Sequence, residues 1–134
     1  MTTPEYPALT IEQLERGDIE PGGFDHEGHV YLGWLYVGEF GAGRAIEKFT
    51  AALRRLVGKL GVPDKYHDTI TWFYLLVIAE RRSRDGGDDW PTFRRDNPDL
   101  FSRDDNVLSR FYSRELLASE DARRRFVLPD RIAA

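Results

Sequence analysis

Between Arg44 and Leu60 the apolar residues Ile46, Phe49, Leu53, Leu56, Val57 and Leu60 recur at three- and four-residue steps. Glu47, Lys48, Arg54, Arg55 and Lys59 lie off that stripe. This is the period of an amphipathic helix that buries one face. Gly61 stops it and Pro63-Asp64 starts the next element. Upstream, Val30, Trp34, Val37 and Phe40 keep to one side of a second helix, from about His26 to Phe40. Asp25 is placed to cap it, and Gly41-Ala42-Gly43 ends it. Thr10-Ile11-Glu12-Gln13 has capping-box spacing and predicts a short helix that ends at Gly17. Glu20-Pro21-Gly22-Gly23 reads as a turn.

The stretch DKYHDTITWFYLLVIAERR resists a single period. Its β-branched and aromatic middle suits a strand. Its length without a breaker, opening on Asp64 and closing on Arg81-Arg82, favours a capped helix. Apolar all round, it should be the central helix of the fold. After Gly86-Gly87 the elements shorten. Asp89, Asp104, Ser113 and Ser119 each precede a short helical stretch, and Pro98 and Pro129 interrupt the chain. The pattern predicts one all-α domain over residues 1–134. It is a helical bundle of about three long helices, residues 1–9 loose, with several short helices wrapped over it in 88–134.

Composition removes several classes of chemistry. With no cysteine, the chain has no disulfide, thiolate ligand or cysteine nucleophile. The longest apolar run, Ile70 to Ala79 and interrupted only by Thr71, is about half of the roughly 20 residues that cross a bilayer. The polar, acidic MTTPEYPALTIEQLE is no signal peptide, so a cytoplasmic protein off the membrane is expected. Net charge is −4. Residues 81–134 hold 11 acids and 12 bases, every base an arginine, mixed as in RRSRD and SRDD. Such mixing makes surface ion pairs rather than a nucleic-acid stripe, and no nucleic-acid partner is expected.

The candidate chemistry lies in three histidines. His26 and His29 stand at i, i+3 in FDHEGH, one residue short of the His-Glu-x-x-His spacing of zinc proteases. His67 lies in the first turn of the expected central helix. All three are near helix N-termini, where the macrodipole disfavours imidazolium, and a neutral imidazole can ligate a metal or act as a base. Were the helix ends to meet, His26, His29 and His67 would form a three-nitrogen site for zinc, iron or copper with an open position. The same pair is also an ordinary polar helix end. Tyr74, seven residues after His67, faces the same way. Thr71 is expected to bond back to its own helix, and Gly33 to permit close helix packing. Glu80 is expected in an ion pair with an arginine.

Three segments together, FDHEGHVYLGWLY, KYHDTITWFYLLVIAER and YSRELLASEDARRRFVLPD, carry a wider likeness. From Thr10 to Asp130 the chain resembles a family of small uncharacterised bacterial proteins. The shared elements are Phe-x-His-x-x-His, here Phe24, His26 and His29, and Tyr-His-x-Thr-Ile-Thr-Trp, here Tyr66 to Trp72. The resemblance implies one functional site for these residues and supplies no activity. The leading expectation is a small enzyme acting on a small molecule. Its site would have His67, Tyr66, Thr69 and Tyr74 as catalytic or orienting groups and His26, His29 and His67 as metal ligands. The alternatives are a non-catalytic module that holds a protein partner or forms a homodimer, and a binding protein whose neutral histidines bond a ligand.

Overall fold

A computed structural model describes residues 6–20 and 22–131. Among these residues all regular structure is helical. The helices are α1 (Ile11–Arg16), α2 (His26–Phe40), α3 (Ala42–Lys59), α4 (Asp68–Arg82), α5 (Trp90–Asp96), α6 (Val107–Phe111), α7 (Arg114–Leu117) and α8 (Glu120–Arg124). Short 3-10 turns occupy Pro63–Lys65 and Pro98–Leu100.

The local signals act as written in the sequence. Thr10 and Gln13 close a reciprocal capping box, and Gly17 ends α1 in the left-handed region at φ 69°. The Asp25 carboxylate accepts from Gly28 N–H at 2.8 Å and starts α2. Gly41, at φ 80°, both closes α2 and opens α3, so the two helices are joined by one residue. That abruptness needs a positive φ, which costs any other residue a Cβ clash. α3 therefore begins two residues before the expected Arg44.

Two expectations at α4 are corrected. Pro63-Asp64 opens only a 3-10 turn. Tyr66 then turns extended, and α4 starts at Asp68 with His67 outside it as its N-cap. Nor is α4 the most enclosed helix. Leu76 on its outer face is 42% exposed, whereas α2 buries seven residues. α2 lies between two apolar clusters. Leu32 and Tyr36 pack with Leu14, Phe49 and Leu56 on one side; Val30 and Trp34 pack with Phe73, Trp90 and Phe93 on the other. Gly33 lets α2 approach α4: a Cβ there would sit 3.1 Å from side-chain carbons of both Leu75 and Ile78.

In the C-terminal third, short helices pack against α2 and α4. Asp89, Ser113 and Ser119 cap α5, α7 and α8. Asn106, not Asp104, caps α6, its side chain accepting from Leu108 N–H. The arginine–acid mixture resolves into ion pairs such as Arg94–Glu27 and Arg125–Asp121, and Glu80 meets Arg84. Arg81 is different, gripping Asp99 with both terminal nitrogens in a mostly buried pair. At the N-terminus, the expected looseness of 1–5 lies outside the described residues. Within 6–9, Leu9 packs on both clusters and Tyr6 edges against Tyr31. No described helix is long and apolar enough to cross a membrane.

Candidate functional site

The N-terminal ends of α2 and α4 and the C-terminal half of α3 converge, and all three histidines lie there. Their roles differ because their hydrogen bonds differ. His67 is consumed structurally. Its Nδ1 accepts from Ile70 N–H at 3.2 Å, which caps α4. With Nδ1 an acceptor, Nε2 carries the proton and donates to the Leu117 carbonyl at 2.7 Å. Both nitrogens are occupied, leaving no lone pair for a metal. His26 Nε2 pairs with the Leu100 carbonyl at 2.7 Å, bolting α2 to the turn before α6. The His26 ring also stands edge-on to Tyr74, centroids 5.2 Å apart.

His29 is the free one. Its half-buried ring stacks on Phe24 at 3.8 Å between centroids. Among the described residues neither ring nitrogen has a hydrogen-bond partner, and neither is sealed from solvent-sized space. Burial first, then the neighbouring His26, lower its pKa from 6.5 to about 4, against an opposing pull from Asp25. The neutral state expected from the helix dipole is thus obtained here chiefly by desolvation.

His29 lines two adjoining cavities. The inner one, about 70 Å³, also meets His26, Thr71, Tyr74 and an aliphatic wall of Val30, Leu75 and Ile78. The outer one, a groove of about 380 Å³, runs along Leu53, Leu56, Val57 and Leu60 of α3 to Lys65, Tyr66 and His67. Thr71 and Ile70 border both. Beyond His26 and Tyr74 lies a wider surface groove of about 800 Å³, walled by 101–117. The helix ends lie close together: His29 borders both adjoining cavities, His26 the inner and His67 the outer. The three imidazoles do not converge on one point: among the described residues no three His, Asp or Glu side chains are grouped to hold a metal ion. The three-nitrogen site is corrected to one open imidazole and two bonded ones.

The other singled-out residues divide likewise. Thr69 points away from the cavities. Fully buried, its hydroxyl bonds the carbonyls of Ala122 and Arg125 and accepts from Val127 N–H at 3.2 Å, clamping the C-terminal segment. This removes it from the orienting set. Tyr66 borders the groove with its ring, but its hydroxyl bonds buried Asp68 while Arg54 lies over its face. Burial and that carboxylate push its pKa well above the ordinary phenol value. Tyr74 is in place beside His26. Its hydroxyl bonds Asn106, and burial pushes its pKa up to about 12. Thr71 does bond back, to the His67 carbonyl at 2.8 Å. Sequence reasoning missed the α3 wall and Lys65 as site residues. The i, i+3, i+4, i+7 stripe of α3 was visible, yet nothing in it distinguishes core-facing from groove-facing leucines.

Compared with known proteins, the chain matches no family model, no curated protein and no solved structure.

Proposed function

We propose that the protein binds a small, mostly apolar molecule in the cavities between α2, α3 and α4, and that neutral His29 hydrogen-bonds its polar group. The observation that carries this reading is the unpartnered imidazole. His26 and His67 bond backbone carbonyls, whereas His29 has no hydrogen-bond partner among the described residues and its nitrogens stay open to the cavity as a donor and an acceptor. An apolar lining with a few polar groups is the usual composition of a ligand site, and the outer groove falls at the small end of the usual size range. The low pKa favours binding over general-base catalysis, since a base serves best when its pKa is near the working pH.

The test is a fragment screen by ligand-observed NMR on wild type, His29→Phe and Val57→Trp. Val57 borders the outer groove and is half-buried, so a tryptophan there fills it. Fragments that bind wild type should weaken in His29→Phe and disappear in Val57→Trp. No bound fragment, or binding indifferent to both changes, refutes the reading.

A further inference from the structure

The walls of the two cavities specify the charge of what they accept. Among the described residues neither is bordered by an aspartate or glutamate, although the chain holds 23 acids. A cationic ligand would find no counter-charge on these walls. Among the described residues the one Lys or Arg on either wall is Lys65, at the edge of the outer groove. The other two lysines are engaged: Lys48 lies over the Phe40 ring, and Lys59 bonds the Gly17 carbonyl. Lys65 has no ion-pair partner among the described residues. The α3 side of that groove is aliphatic. Leu53, Leu56, Val57 and Leu60 line one side of it along α3. The seven 1.5 Å rises from Leu53 to Leu60 make this strip about 10 Å long.

Resting on the ligand-binding reading above, we infer that the ligand class is a medium-chain aliphatic monocarboxylate. Its chain lies along the α3 strip, and its carboxylate is the polar group, accepting from the Lys65 ammonium and from the His29 N–H, which border the same groove. A net negative protein repels anions in general. The local cation and the carboxylate-free wall give this acid a place that the rest of the surface denies it.

Octanoate and 1-octanol, which share a chain and differ in the head group, are the probes. Each is titrated into the full chain at low salt, with binding read from the His29 ring resonances. Wild type should bind octanoate about tenfold more tightly than octanol. Lys65→Gln should bring octanoate down to the octanol level and leave octanol unchanged. Lys65 is exposed at the end of a 3-10 turn, outside the α-helices, so the variant should fold. Equal affinities in wild type, or an octanoate preference that survives Lys65→Gln, overturn the carboxylate assignment while leaving the pocket standing. Failure of both probes to move His29 overturns the aliphatic-chain assignment, and the fragment screen then decides the pocket itself.

Discussion

Protonation of His29 should be the costliest charge change near the cavities, and pH titration isolates it. In the unfolded chain an imidazole takes its proton near pH 6.5; in the fold His29 holds out until about 4, mainly because its ring is buried against Phe24. Between those values the unfolded chain binds more protons, so stability rises with pH across that window. The contribution is complete above about pH 6.5 and is lost as the pH falls towards 4. The gap corresponds to about 3 kcal/mol at 1.36 kcal/mol per pH unit. The groove admits water to the ring, which reduces the expectation to about 2 kcal/mol. Carboxylates titrate in the same range, so the quantity to measure is a difference. Urea unfolding of wild type and His29→Phe, run from pH 7.5 to 4, should give two curves whose separation changes in acid because wild type loses more stability. The variant keeps the stacking partner for Phe24 and has nothing to protonate. Its stability should fall by about 2 kcal/mol less over the window. Parallel curves, or a His29 ring midpoint near 6.5 by NMR, would refute the desolvated imidazole and with it the neutral hydrogen-bonding role.

Other consequences concern the frame of the site. Thr69→Val should cost about 2–3 kcal/mol, because Val127 N–H and the carbonyls of Ala122 and Arg125 lose a buried partner. Limited trypsin digestion should then cut first at the arginines of 123–125. Asp99→Asn should cost about 2 kcal/mol by leaving mostly buried Arg81 without its countercharge. Since Arg81 holds the Asp99 carboxyl below its usual range, that stability should be present at neutral pH and lost in acid as pH falls through the lowered pKa, which acid denaturation midpoints will report. Gly41→Ala should cost about 1–2 kcal/mol, read as a lower thermal midpoint, because the residue sits at φ 80° between two helices.

The helices were legible because their signals are local. Thr10-x-x-Gln13, Asp25 and Gly61 act through the next few residues, and the α3 stripe declares its own period. What failed depends on partners far along the chain. His67 could be read as a first-turn residue because Pro63-Asp64 is an ordinary helix start. Only the bond from His67 to Leu117, 50 residues away, shows why the chain turns extended at Tyr66 and makes the imidazole a cap. Asp104 and Asn106 are equally good caps by type, and the Tyr74 hydroxyl selects the second by bonding it. Thr69 looked like a site residue for the same reason: a polar side chain on an apolar helix signals a buried partner without naming it.

That ambiguity explains how three similar histidines come to do different work. An imidazole has two nitrogens, and closing a small helical fold leaves backbone carbonyls near its surface that want donors. Leu100 and Leu117 supply such carbonyls at the two places where the C-terminal third crosses back over α2 and α4, and His26 and His67 satisfy them. A histidine spent in this way positions the wall and gives up its chemistry. His29 borders both cavities opposite the apolar α3 residues Phe49, Leu53, Leu56 and Val57, and among the described residues no side chain bonds it. The fold therefore leaves one partly desolvated imidazole with only the groove's water to bond it. A proton is the wrong compensation at neutral pH, because burial makes it costlier still. A ligand that brings its own hydrogen-bonding group and an apolar chain supplies what both the imidazole and the α3 wall lack.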